Sequence, residues 1–182
     1  NTASGYMATV GGGHTNTANS TRAGVFSGKS NTSSNGASFV GGGCLNTASG
    51  LYSFLGGGKS NIASADSSAI SEGQSNTASG ACSTVGGGQS NTANNGWAFV
   101  GGGINNTASG GFSFIGGGNC STASANYTFI GGGRTHTACG AWSTISGGYG
   151  NVAGGQISVI AGGYGNSATG CRSAVLGGQS NA

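Results

Sequence analysis

The sequence predicts an all-β fold, a parallel β-solenoid (β-roll) of twelve coils with fifteen residues in each. Three observations predict it. First, the 182 residues divide into twelve rows of fifteen with no insertion. Numbering the positions of a row as slots 1 to 15, slot 13 is Gly in all twelve rows and slot 10 is Val, Ile or Leu in all twelve. Second, slot 3 is Ala in eleven rows and slot 1 is Asn in ten. A fixed short period of this kind marks a solenoid, whose repeats bury a core only by stacking. Third, the chain has 43 Gly, no Pro and 4% charged residues. Collagen is excluded because Gly does not recur every third residue and Pro is absent. Disorder is disfavoured because the apolar positions are regular.

The elements follow in order along a row. Slots 1 to 4 ("NTAS") read as a short strand, and the small residue at slot 5 as a turn. Slots 6 to 10 ("YMATV", "LYSFL", "NYTFI") are rich in aromatic and β-branched residues and read as a second strand. The "GGG" of slots 11 to 13 is the second turn, with Gly13, Gly43, Gly58, Gly88, Gly103, Gly118 and Gly133 as its structural residues. Slot 13 is predicted to need positive φ. Slot 12 is predicted to be permissive, because Ser27 and Glu72 also stand there. The slot 1 Asn residues are expected to form a ladder of stacked amides. So much Gly disfavours helix by ~1 kcal/mol per residue. Stacked at ~4.8 Å, twelve coils make a rod of roughly 58 Å. The array is a single domain over residues 1–182, ends two residues into a thirteenth coil, and reads as a segment of a longer fibre.

Alternation along a strand assigns the faces. Slots 3, 8 and 10 fill a thin interior. Slots 7 and 9 point outward with Tyr52 and Phe54, Trp97 and Phe99, Phe112 and Phe114, Tyr127 and Phe129, and Trp142 and Ile157. Soluble monomers rarely expose an apolar patch beyond a few hundred Å². These ten residues are therefore the candidate subunit interface, and the amount of aromatic area implies an obligate homo-oligomer. The opposite face is polar, with Thr at slot 2 in nine rows and Ser at slot 4 in seven.

Catalytic chemistry is absent from the pattern. Asp66 and Glu72 share the fifth coil, while His14 and His136 lie roughly 19 and 24 Å away along the rod at ~4.8 Å per coil. No Ser-His-Asp arrangement closes over that distance. "GKS" at Gly28–Ser30 and Gly58–Ser60 lacks the earlier Gly of a phosphate loop, having Ala23 and Ser53 in that place. The histidines read as solvated surface groups. Cys44, Cys82, Cys120, Cys139 and Cys171 fall in five different slots, so neither a disulfide framework nor a metal site is expected. No cofactor is expected. A net charge of +3 from five scattered basic residues excludes a nucleic-acid groove. No apolar run is long enough for membrane insertion by this segment.

The phrases "SFIGGG", "STVGGG" and "NTASG" resemble the YadA-like head repeat of trimeric autotransporter adhesins and of related phage and viral fibre proteins. The resemblance covers the whole chain. The repeat here is about one residue longer, and its turn has three Gly where the family usually has one. The resemblance implies a left-handed roll, three of which associate around one axis, with the aromatic face inward. It implies a non-enzymatic structural or attachment segment of a cell-surface or virion fibre, extracellular, with a host receptor or glycan as possible partner. Two alternatives come from the residues themselves. The Thr/Ser face could bind ice, although its columns are broken by Asn19, Asn94, Cys139 and Ile62. The rods could also build an extracellular sheath or matrix filament.

Overall fold

Each coil contributes two strands of two residues. In the computed structural model, which describes residues 1–182, the first strand lies at slots 2 and 3, from Thr2–Ala3 to Ser167–Ala168. The second lies at slots 9 and 10, from Thr9–Val10 to Ala174–Val175. Equivalent strands stack in chain order into two twelve-stranded parallel sheets. The register never shifts: Thr2 faces Thr17, Phe99 faces Phe114, and Ile160 faces Val175. A third ladder of parallel bridges runs along slot 14 from His14 to Gln179. The chain forms no helix.

The core is the meeting of two columns. Slot 3 Ala from one sheet packs against slot 10 Val, Leu and Ile from the other, in a single cluster of 22 buried residues. Small slot 3 residues let the two sheets approach closely. Slot 8 supplies the third inward column. There the hydroxyls of Ser53, Ser68 and Ser113 donate to the slot 5 carbonyls of Gly50, Ala65 and Gly110 at 2.6–2.8 Å. The core closes within one chain.

The strand expected at slots 6 to 10 is shorter than the sequence suggests. Slots 5 to 7 form a turn, and only slots 9 and 10 pair as a strand. Slot 7 has left-handed backbone in every coil, with φ of 57° at Tyr52, 54° at Trp97 and 56° at Phe112. That conformation costs ~1–2 kcal/mol for a non-Gly residue. It turns each slot 7 N–H back onto the preceding coil. Trp97 N–H donates to Ala81 O at 2.9 Å, and Phe112 N–H to Gly96 O at 3.0 Å. The slot 7 aromatics thus stand on a corner of the coil, not on the strand face that carries slot 9.

The GGG turn divides as predicted. Slot 13 has positive φ in all twelve coils, from Gly88 at 85° to Gly118 at 105°, while no slot 12 residue does. A Cβ on Gly103 would lie 2.1 Å from Gly118 O and 2.7 Å from Asn106 Nδ2, whereas one on Gly102 would meet nothing within 4 Å. Both backbone conformation and crowding therefore restrict slot 13 to Gly.

The slot 1 ladder seals this turn. Asn91 Oδ1 accepts from Asn106 N–H at 3.0 Å. Asn106 Nδ2 donates to Gly102 O and Gly118 O at 3.0 and 2.9 Å. One buried amide thus joins three successive coils. The ladder is interrupted at Ser121 and His136. His136 is completely buried, which corrects the expectation of a solvated surface histidine; His14 alone is exposed. His136 Nδ1 accepts from Asn151 N–H at 3.1 Å, replacing an Asn Oδ1. Its Nε2 has no hydrogen-bond partner. Burial lowers the His136 pKa. The fifth coil, "NIASADSSAISEGQS", keeps its register with both neighbours.

Candidate functional site

The aromatic residues form two separate ladders parallel to the rod axis. On the slot 7 corner, Trp97, Phe112, Tyr127 and Trp142 stack with centroids 4.8, 5.0 and 5.5 Å apart and ring planes within 5° of parallel. On the slot 9 sheet face, Phe99, Phe114 and Phe129 stack at 5.0 and 5.1 Å. A shorter piece of that face pairs Phe39 with Phe54 at 6.0 Å. Constant register produces these stacks, because each ring finds its equivalent one coil away. The ~4.8 Å coil spacing matches offset stacking of aromatic rings.

All ten residues expected to face outward do so; those of slot 9 follow strand alternation, whereas those of slot 7 reach the surface from the turn. Trp97 is 57% exposed and Phe129 41%; Tyr52, Phe54, Phe112, Tyr127, Trp142 and Ile157 are also exposed. Phe99 and Phe114 are half-buried between their neighbours in the ladder. The aromatic density is uneven. Coils 7 to 10 carry seven stacked rings, while Arg22 and Arg172 occupy slot 7 near the two ends. Ser67 and Ala69 leave a gap in both columns at the fifth coil.

A third aromatic pair was not anticipated. Tyr149 and Tyr164 stack at 5.0 Å on the slot 14 ladder, and the Arg134 guanidinium lies 5.7 Å from the Tyr149 ring centre. Slot 14 holds residues of every kind, so no composition signal marked it as a paired column.

The chemical groups are dispersed. No three His, Cys, Asp or Glu side chains gather to hold a metal ion. The five cysteines are free; Cys44 is half-buried and the other four are exposed. The one depression is a shallow notch of about 180 Å³ lined by Thr21, Arg22, Gly36, Ala37, Leu51 and Tyr52. It lies on the slot 6 and 7 corner where Ala37 interrupts the larger side chains. Ligand pockets are usually ~300–1,000 Å³. The site is thus a surface, made of two aromatic ladders and the turn between them. No protein-family model matches the chain, and no curated protein matches it.

Proposed function

We propose that this chain is a non-enzymatic structural protein that self-associates through its aromatic ladders, three copies around one axis, as the shaft of a surface or virion fibre. The observation that carries this reading is the continuous run of exposed, stacked rings from Trp97 to Trp142. Such a stripe is too large and too apolar for a free surface. A second copy presents the same stripe at the same coil spacing, so ring meets ring along its length. Closed symmetry then hides the stripe, whereas an open association would continue without limit. The Arg residues at slot 7 near either end keep the stripe from extending along the whole rod. Extension and display follow from the shape: the rod is long and regular, and its backbone is hydrogen-bonded from coil to coil.

Cysteine cross-linking tests the arrangement. Cys82 is exposed at slot 7, one coil before Trp97, and Cys139 is exposed at slot 4 on the opposite sheet. In a parallel assembly equivalent coils lie at equal heights, so Cys82 of one copy approaches Cys82 of the next. Two full-length chains, each keeping only Cys82 or only Cys139, are treated with a short bis-maleimide. Covalent dimers are expected for Cys82 and none for Cys139. Equal cross-linking at both positions, or at Cys139 alone, would overturn the orientation. A wild-type chain of monomer mass would overturn the association.

A further inference from the structure

We infer that the Thr/Ser face of the first sheet is an ice-binding surface, independent of the aromatic ladders. Four features of that face point to ordered water as its ligand. The first is two-dimensional order. Slot 2 and slot 4 side chains both point away from the buried slot 3 Ala. The slot 2 ladder holds Thr77, Thr92, Thr107, Thr122 and Thr137 in unbroken register, and Thr2, Thr17, Thr32 and Thr47 in another run. The hydrogen-bonded backbone continues through slot 4, where Ser4 N–H donates to Ala18 O at 3.0 Å and Ser109 N–H to Ala123 O at 2.9 Å. Hydroxyls therefore repeat at ~4.8 Å along the rod and at roughly 6.6 Å across it, two residues along a strand. The face is therefore a regular two-dimensional array of hydroxyls whose period along the rod is that of the coil.

The second feature is that these hydroxyls are uncommitted. Some hydroxyls elsewhere in the chain bond protein partners, as Thr15 does Ser30, Thr128 Ala125 O, Thr135 Arg134 O and Ser113 Gly110 O, while those of Ser83, Ser143 and Ser158 in slot 8 are buried without one. None of the slot 2 Thr or slot 4 Ser side chains takes a partner within the chain. They are free to hold water, and a well-placed water bond is nearly as favourable as a direct one.

The third feature is charge. Every Lys, Arg, Asp and Glu lies at slots 6, 7, 12 or 14, and none at slots 2 to 4. A charged group would hold a liquid-like hydration shell and prevent an ordered layer. Of the three exceptions in the slot 2 column, Ile62 and Val152 keep the β-branched methyl shape of Thr, and Ser167 keeps its hydroxyl. The fourth feature is a contrast inside the protein. Slot 9 is the equivalent outward position on the other sheet, and it holds Thr, Gly, Phe, Ala and Val. Folding therefore does not require one residue type at an outward strand position. The uniformity of slot 2 matches an external template with the period of the coil.

The experiment uses the full chain and ice itself. Wild type, Thr92→Lys/Thr107→Lys and the control Gln89→Lys are compared for thermal hysteresis and for uptake into a slowly grown ice hemisphere. Gln89 lies in the exposed slot 14 column, which already accepts Lys29 and Lys59. Circular dichroism checks that the coil is kept, and light scattering that the assembly is unchanged. Wild type and the control are expected to enter the ice and shape its crystals. The double variant is expected to lose most of the hysteresis and to be left in the liquid, with fold and mass unaltered. Exclusion of the wild type from ice overturns the inference. So does ice binding that survives the double substitution, because another face would then be responsible.

Discussion

Replacing Phe99 and Phe114 by Glu puts two charges in the middle of the proposed interface, and the effect can be sized. Seven rings stack in coils 7 to 10, and five of them, from Trp97 to Trp142, are 41–57% exposed. An aromatic side chain has ~150–250 Å² to bury, so about 100 Å² per ring remains available for contact. That is roughly 700 Å² per chain, or about 17 kcal/mol at ~25 cal/mol per Å². Association costs of ~4–15 kcal/mol are set against it. Phe99 and Phe114 are half-buried in their ladder, so losing them removes about 3 kcal/mol of that gain. Each carboxylate taken out of water costs several kcal/mol more, so the total approaches 10 kcal/mol per chain. The surplus left by those two figures is roughly 2–13 kcal/mol, so this loss removes most or all of it.

Size-exclusion chromatography with light scattering reads the outcome. The wild type is expected at three times the chain mass over the whole concentration range. The double variant should leave the trimer peak. Gln89→Glu makes a similar charge change away from the ladders and should keep the wild-type mass. A wild type that is monomeric at all concentrations refutes the reasoning. A Phe99→Glu/Phe114→Glu variant that stays trimeric refutes it equally, because those rings would not then be in the contact.

The remaining predictions concern the coil. Gly103→Ala should destabilise by ~3 kcal/mol or more, combining a positive-φ penalty with overpacking against Gly118 O, while Gly102→Ala should stay within ~0.5 kcal/mol; equal losses in denaturant melts would contradict the division of the turn. His136→Asn should extend the amide ladder back to Ser121 and raise stability by ~1–2 kcal/mol. With its pKa lowered in the folded chain, His136 stays neutral while the unfolded chain takes up a proton as the pH falls below about 6.5. Its stability contribution is therefore complete above that pH and is lost in acid. His136→Asn should flatten the melting temperature between pH 6.5 and 4.5, and an unchanged pH profile would contradict this role.

Much of the coil was legible in the sequence because its strictest slots are those that touch a neighbouring coil. Slot 10 and slot 3 fill the core, slot 13 has no room for a Cβ, and slot 1 bonds three coils, so each tolerates little else. The slot 7 turn was harder to read. Tyr, Trp and Phe usually signal strands, and nothing in those letters reveals a left-handed backbone held by an N–H bonded to the previous coil. The slot 14 ladder was hidden for a related reason. Its backbone pairs whatever the side chain, so Lys59, Gln74, Ile104 and Tyr149 are all accepted. His136 was misread because its type was weighed above its place. A residue in a slot that is Asn in ten rows stands where a buried acceptor is needed, and imidazole Nδ1 supplies one.

The two proposed surfaces constrain each other through the shape of the coil. The rings stand on the slot 7 corner and on the outer face of the slot 9 sheet, while the Thr/Ser columns lie on the outer face of the other sheet. Turning the aromatic side toward a shared axis necessarily turns the Thr/Ser face outward. Three copies with coils at equal heights would then present three such faces with a common period. A flat stack of rods joined through the Thr/Ser face instead would leave the rings in water, against a burial term of about 17 kcal/mol per chain. Apolar area therefore selects which side is hidden, and the uncharged hydroxyl side is left to meet the solvent. The two readings fail separately. Charge at Phe99 and Phe114 changes mass and leaves the hydroxyl lattice intact. Lysine at Thr92 and Thr107 breaks that lattice and leaves the ring contact intact.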